Sequence, residues 1–391
     1  MTSSIQNYDV AIAGGGPAGS SAALKLAEQG LKVALIEKAV HPRYKPCGGG
    51  IVHRVFKYLP VDVSKAIEKN CHTIEFNLNN SKQHFHFTST EPIVSMTMRN
   101  NFDMLLLSAA GDAGAHIISE CEVKDVQTNS NNINIRTNNG SISSKYLIAA
   151  DGAVSVVANK AGWNETRYII PALEYEVYVD DNTLESFSKS ARFDFDILPD
   201  GYAWVFPKKN HLSIGILSMS RKRTIFADVF TNYLKLLRIK TYSKIEKHGF
   251  IIPVHPRKDT FMKNRVLLTG DVAGFADPVT AEGISFAILS GQIAANAIIK
   301  GDMEESLVHE HFHNELDQKI LSELRIGRIL SKLVYMNPVI RTNLFRFYGH
   351  KLTKSMTHIF LGKKSYKEVI RNPLNYLKLL RMWNPGINST D

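Results

Sequence analysis

Three cysteines in 391 residues (Cys47, Cys71 and Cys121), far apart in the chain, make no disulfide framework, and a reducing, cytoplasmic compartment is expected. Long apolar runs are equally scarce. The longest, Ile284 to Ile299, is broken by Ser290, Gln292 and Asn296, which predicts a buried helix and not a membrane span. The opening residues, Met1 to Val10, lack a basic stretch followed by an apolar one, so no secretory leader is expected. The third shortage is local. From Lys319 to Asp391 there are 3 Asp/Glu against 14 Lys/Arg, so the net charge of +10 resides in this tail and the remainder is close to neutral. No nucleic-acid-binding signature accompanies the charge, and nucleic acid is not an expected partner. The tail also carries Leu330, Leu333, Val334, Phe345, Phe347, Tyr348, Ile359, Phe360, Leu361, Tyr376, Leu379, Leu380 and Trp383. Basic amphipathic helices with aromatics predict peripheral contact with an anionic inner membrane face. The plainer reading is a solvated charged face on ordinary packing helices.

What the chain does have begins at Tyr8. Tyr8 to Ala13 is a short strand-like run, followed by Gly14-Gly15-Gly16-Pro17-Ala18-Gly19 and an Ala-rich helical stretch to Gln29. A second apolar run, Lys32 to Ile36, ends in Glu37. Gly14, Gly16 and Gly19 have the Gly-x-Gly-x-x-Gly spacing. The first permits the tight turn, the second lets a pyrophosphate approach the backbone, and the third lets helix and strand pack closely. The helix N-terminus offers free N–H groups to the phosphates. Glu37 falls where a carboxylate takes the adenosine ribose hydroxyls. Strand, turn, helix, strand and acid in this order predict a Rossmann-type dinucleotide-binding unit.

Periodicity divides the rest. Residues 1–70, 98–160 and 259–300 read as one discontinuous α/β cofactor domain. Residues 71–97 and 161–258 read as an antiparallel β-sheet substrate domain that interrupts it, and 301–391 as a basic helical region. His84 to Phe87, Phe193 to Ile197 and Leu212 to Ile216 alternate with the period of a strand. The length suits two or three domains.

Further segments join the glycine turn. Arg99 to Asp103 opens a helix running to Ala110, with Phe102 and Leu105 to Leu107 inward. Asp151-Gly152 follows the apolar run Tyr146 to Ile148. Leu267 to Asp271 leads through Ala273 to Pro278 into Glu282-Gly283-Ile284. In this order they resemble the FAD-binding family of aromatic hydroxylases of the p-hydroxybenzoate type, over roughly residues 5–300. The resemblance implies FAD contacts at Gly14, Gly16, Ala18, Gly19, Glu37, Arg99, Val123 (backbone, beside the adenine), Asp271, Gly283 and Ile284. Asp271 would accept from the ribityl hydroxyls, and the helix opening at Gly283 would face the isoalloxazine. No second Gly-x-Gly-x-x-Gly exists for a stably held nicotinamide nucleotide.

Two more motifs narrow the likeness. Pro46-Cys47-Gly48-Gly49-Gly50 follows Arg43-Tyr44-Lys45, and Pro199-Asp200-Gly201-Tyr202-Ala203-Trp204-Val205-Phe206-Pro207 precedes His211 to Gly215. Together they look like the geranylgeranyl reductase family, with its Pro-x-x-Tyr-x-Trp-x-Phe-Pro pattern and a Cys-Gly-Gly loop near the flavin. One departure stands out: Ala281 replaces the first glycine of that family's Thr-Gly-Glu-Gly-Ile. The resemblance implies an FAD-dependent reductase that saturates C=C bonds of a polyprenyl lipid, diphosphate or quinone side chain, while the sequence leaves the electron donor, NAD(P)H or ferredoxin, open. The alternative on the same fold is a flavin monooxygenase or halogenase acting on an aromatic substrate. A third is a lipid-binding module that keeps FAD without turnover.

On a strand, Tyr202, Trp204 and Phe206 share one face, either as a wall for a prenyl chain or as plain core. Cys47 and Gly48 would lie against the ring. Cys47 packs beside the cofactor or takes part in proton delivery. Tyr202, Cys47 and an ordered water are the candidate acids, and Cys47, Tyr202 and Trp204 the candidate catalytic residues. His309-Glu310-His311-Phe312-His313 satisfies His-Glu-x-x-His but follows a complete flavin fold without a third ligand, so no metal is expected.

Overall fold

The computed structural model describes residues 6–220 and 226–370. Tyr376, Leu379, Leu380 and Trp383 of the predicted basic tail lie outside them.

Val10, Ala11 and Ile12 are buried on both faces of the strand Gln6–Ala13. Such a continuous apolar run suits a parallel sheet covered on both sides. Gln6–Ala13 pairs in parallel with Gly140–Ala149 and with Val33–Ile36, and His116–Ile118 and Val266–Leu268 extend the parallel core outward. Val123–Thr128, Ile133–Thr137 and Met262–Lys263 complete eight strands. The helix Pro17–Ala27 crosses from the first strand to the second. A Cβ on Gly19 would meet the Gly14 carbonyl oxygen at 1.9 Å, so no other residue fits where this helix leaves the turn. Ile284–Lys300, the predicted buried helix, packs against Pro17–Ala27.

A second sheet of seven strands runs Lys244–His255, Tyr168–Tyr178, Leu212–Ser218, Gly201–Pro207, Ser190–Phe195, Thr73–Leu78, Gln83–Thr88. It is antiparallel with one departure from expectation: Ser190–Phe195 and Thr73–Leu78 run parallel. The chain reaches that edge early and returns to it only after more than 100 residues, so no hairpin joins the two strands. A second departure concerns the stretch 71–97. Its last strand, Val94–Thr97, leaves the large sheet and pairs with Gly50–Val52 and Ile67–Cys71 in a separate three-stranded sheet. That sheet ties the Cys-Gly-Gly loop to the strand that follows Gln83–Thr88.

Helices Glu305–Leu316, Ser322–Tyr335, Pro338–Phe360 and Tyr366–Ile370 follow. Asn337 caps Pro338–Phe360, accepting from the Val339 and Ile340 N–H groups at 2.9 and 3.3 Å, with Pro338 at the first position. This helix is clamped to the second sheet by a buried ion pair. Arg341 is fully buried, donates to Asp196 Oδ1 at 2.5 Å, and reaches the carbonyls of Pro199 and Val334. Beside it, Phe345 packs against Phe195 (5.5 Å between centroids) and Phe85 (5.9 Å). Among the described residues no helix is long and apolar enough to cross a membrane.

Removing one partner of a buried pair leaves an uncompensated charge. Arg341→Ala is therefore expected to lower the unfolding free energy by about 3–5 kcal/mol, read by urea denaturation. An exposed control, Arg328→Ala, should change it by less than about 0.5 kcal/mol.

Candidate functional site

A cavity of about 550 Å³ lies where the two large sheets meet. Its cofactor side is lined by Gly14, Gly16, Ala18, Glu37, Arg99, Val123, Asp151, Gly152, Asp271, Gly283 and Ile284, and by the loop Arg43 to Gly50 with Cys47 and Gly48. Gly19 stands outside the lining, under the turn. The opposite side is Phe193, Tyr202, Trp204, Phe206, Leu217, Phe250 and Ile252. Eleven of the twelve expected cofactor contacts, Cys47 among them, thus share one space with the catalytic candidates Tyr202 and Trp204.

The glycine turn is held from below by Glu37, whose Oε2 accepts from Gly15 N–H at 2.6 Å and Oε1 from Ala39 N–H at 3.0 Å. Burial opposes its ionisation, but these bonds with His41 and Arg43 outweigh it and hold the carboxyl down to about 2. Glu37 is a carboxylate at any working pH. Arg99 spends its guanidinium on Asp103, donating twice at 2.7 and 2.8 Å, and Arg43 reaches the same fully buried carboxylate at 3.2 Å. Sequence reasoning singled out Arg99 and missed Asp103 and Arg43. The Arg99-x-x-x-Asp103 spacing, one helical turn, was the available signal. Lys45 was missed too. Its ammonium sits 3.4 Å from the Phe250 ring centre, and burial with Arg99 nearby pushes its pKa down to about 8.

These donors test whether FAD fits. Arg43 Nη1 is buried with no hydrogen-bond partner, beside Gly16, whose Cβ would lie 3.9 Å from Arg43 Nη2. The helix Pro17–Ala27 has no side-chain cap and no acid in its first turn. An orphaned cationic donor and uncapped N–H groups at one glycine turn suit a diphosphate. Asp271 makes no side-chain hydrogen bond to the described residues, and burial raises its pKa. Hydroxyl donors from a ribityl chain would satisfy it. The residues present fit FAD.

Around Cys47 the second sheet does the holding. Cys47 N–H donates to Glu174 Oε2 at 2.6 Å, and Gly49 N–H to Cys47 Sγ at 3.4 Å. Lys208, almost fully buried, donates to the carbonyls of Gly48 (2.7 Å) and Thr97 (2.8 Å). Ser213 donates to Glu174 Oε1 at 2.8 Å. Glu174 is buried alongside Glu176, and burial, then the neighbouring carboxylate, push its pKa up to about 7. Neither Glu174 nor Lys208 was singled out from sequence, because their roles exist only once distant strands pair.

The aromatic stripe forms as the strand period requires: centroids lie 6.2 Å apart from Tyr202 to Trp204 and again from Trp204 to Phe206. The Trp204 indole is wedged between two glycines. A Cβ on Gly215 would strike the ring at 1.8 Å, and one on Gly48 would meet Nε1 at 2.9 Å. That Nε1 is buried without a hydrogen-bond partner. The Tyr202 hydroxyl donates to the Thr280 carbonyl, and burial raises its pKa far above the ordinary value. Ala281, the departure from the family pattern, adopts φ 55°, the left-handed conformation that glycine takes freely, and lines the cavity.

His309 and His313 stack at 4.0 Å, and His313 Nε2 lies 2.9 Å from Thr260 Oγ1. Among the described residues no three His, Cys, Asp or Glu side chains are grouped to hold a metal.

The FAD binding domain family model matches residues 7–300. The chain belongs to that family. It is 28% identical over 410 residues to the chloroplastic geranylgeranyl diphosphate reductase of Nicotiana tabacum, covering 96% of this chain and 84% of that one. It is 26% identical over 407 residues to the digeranylgeranylglycerophospholipid reductase of Methanococcus vannielii, covering 96% and 98%. Its fold matches a geranylgeranyl bacteriochlorophyll reductase-like protein from Thermoplasma acidophilum with a TM-score of 0.76 at 24% identity, covering 86% and 90%. The chain is an FAD-dependent oxidoreductase with similarity to geranylgeranyl reductases.

Two substitutions report on the site. Ala281→Gly removes a left-handed alanine and should raise stability by about 1 kcal/mol in chemical denaturation. Glu174 stays protonated in the folded state over a range where the unfolded chain has released its proton. Stability therefore falls as pH rises from about 4.5 to about 7, and levels off above. Glu174→Gln keeps an acceptor for Cys47 N–H and should flatten that fall, stabilising the fold more at pH 8 than at pH 4.

Proposed function

We propose that this protein saturates C=C bonds in a polyprenyl substrate of the geranylgeranyl type, carried on a lipid, a diphosphate or a quinone. The observation that carries this reading is the placement of Tyr202, Trp204 and Phe206 in the same cavity as the Cys47-Gly48 loop and the glycine turn. A prenyl unit has five carbons. Burying each is worth at most about 4 kcal/mol at ~0.8 kcal/mol per methylene-sized group, so a long tail binds such a wall without specific polar contacts.

Bound and reduced, FAD supplies the hydride; the protein supplies position, dryness and a proton. Gly14, Gly16, Ala18 and Arg43 would hold the diphosphate, Glu37 the adenosine ribose, and Asp271 the ribityl hydroxyls. Gly283 and Ile284, at the start of Ile284–Lys300, would face the ring. Trp204 and Phe206 orient the chain and exclude water. Cys47, set at the rim of the apolar wall by Glu174 and Gly49, is the residue placed to pass a proton to the second alkene carbon. NAD(P)H or a ferredoxin would re-reduce the cofactor from solution, in keeping with the lack of a second glycine-rich turn.

The test is anaerobic incubation of photoreduced protein with geranylgeranyl substrates, followed by mass spectrometry. The product should gain two hydrogens for each double bond reduced. Unchanged mass with every prenyl substrate, together with oxygen-dependent NAD(P)H consumption on an aromatic one, would assign monooxygenase or halogenase chemistry instead. Bound prenyl lipid with no reoxidation by any alkene would leave a binding module.

A further inference from the structure

The helix Ser322–Tyr335 has two opposed faces. Leu324, Gly327, Ser331 and Tyr335 are buried, and Tyr335 backs the aromatic wall, its ring centre 6.5 Å from that of Tyr202 and 6.3 Å from that of Phe195. Apolar residues also mark the outer face: Ile329 is 61% exposed and Met336, at the elbow into Pro338–Phe360, 74%. Leu333 lies between them, and Val339, just past the elbow, is 66% exposed. At 100° per residue, Ile329, Leu333 and Met336 fall within about 60° of arc. Exposed apolar groups at this density on a helical elbow mark an interaction surface.

Charge identifies the occupant. Arg325, Arg328 and Lys332 flank the stripe, all exposed; Arg325 pairs with Asp317, while Arg328 and Lys332 have no ion-pair partner among the described residues. A second copy of this face would set cation against cation. An anionic bilayer accepts both components, apolar side chains below the headgroups and cations among them. The second helix of the elbow ends in Phe360, which lines the cavity.

We infer that the elbow of Ser322–Tyr335 and Pro338–Phe360, through Ile329, Leu333, Met336 and Val339 with Arg328 and Lys332, seats the protein on an anionic lipid surface. The inference rests on the prenyl-lipid reading for its purpose, and its test does not. Full-length FAD-loaded protein is mixed with sucrose-loaded vesicles of phosphatidylcholine alone or with phosphatidylglycerol added, and sedimented at low and high salt. Binding is expected to the mixed vesicles and to weaken with salt. The double substitution Ile329→Glu and Met336→Glu should lower the partition coefficient at least about tenfold. Flavin absorbance and the melting temperature should stay unchanged, because both positions are exposed. Lys332→Ala should weaken binding and reduce its salt dependence. Double-variant binding equal to wild type, or no binding to either vesicle, overturns the inference. So does a wild-type dimer in vesicle-free solution that the double variant dissociates, since the face would then belong to a second copy. Turnover of a short, water-soluble prenyl substrate, measured without vesicles in both forms, reports separately on the catalytic reading.

Discussion

The seven-stranded sheet and the Cys-Gly-Gly loop of this protein meet at a buried lysine. Lys208 extends from the end of the central substrate strand and donates to the carbonyls of Gly48 and Thr97, one in the Cys-Gly-Gly loop and one at the end of the small sheet. An unpaired charge in such a place is costly unless its donors are used. Two carbonyls accept here, and the Glu174 carboxyl lies within electrostatic reach. Glu174 completes the arrangement by accepting from Cys47 N–H. The loop that carries Cys47 is therefore positioned by the seven-stranded sheet, although it follows the first strands of the eight-stranded one in sequence. Trp204 then fits because Gly48 is where it is, and Gly215 provides the other side of the slot. Cavity shape, loop position and aromatic wall form one coupled unit.

That coupling separates what the chain discloses locally from what it does not. The glycine turn, Glu37 and the strand-helix-strand order depend on contacts within about 40 residues, so composition and spacing sufficed. The period-2 stripe at Tyr202, Trp204 and Phe206 was legible for the same reason. Arg43, Asp103, Lys208 and Glu174 were not. Lys208 and Glu174 are ordinary charged residues until segments more than 100 positions apart come together, and Arg43 finds Asp103 only when its loop folds back onto the helix Arg99–Asp112. The parallel pairing of Ser190–Phe195 with Thr73–Leu78 escaped for a related reason: strand alternation reports which face is buried, never the direction of the neighbour. Val94–Thr97 reads as a strand in either sheet, and only the small one exists beside the Cys-Gly-Gly loop.

Ala281 illustrates how a local rule fails informatively. A left-handed alanine costs about 1–2 kcal/mol against glycine. Here the surrounding bonds impose the conformation: Ala281 N–H donates to the Asp277 carbonyl at 2.8 Å, and Asp277 Oδ1 accepts from Val279 and Thr280 N–H. The turn is over-determined, so the strain is borne at a residue that lines the cavity. Strain of this kind tends to collect at functional sites.

The same environment constrains where a proton comes from. A proton taken from Tyr202 would leave a phenolate in a fully buried setting near the Asp277 carboxyl, and both conditions oppose it. The hydroxyl hydrogen is already committed to Thr280. An apolar wall dry enough to hold a prenyl chain is by that fact a poor place to create charge. Cys47 lies at the margin of the wall, where Gly49 N–H faces its sulfur and the buried Glu174 carboxyl, with its raised pKa, stands one backbone bond away. Charge left on that sulfur meets a donor at once, and no such donor faces the Tyr202 oxygen among the described residues. In the proposed reading, the division of the cavity into a dry wall and a polar rim gives chain binding to Trp204 and Phe206 and proton handling to the loop.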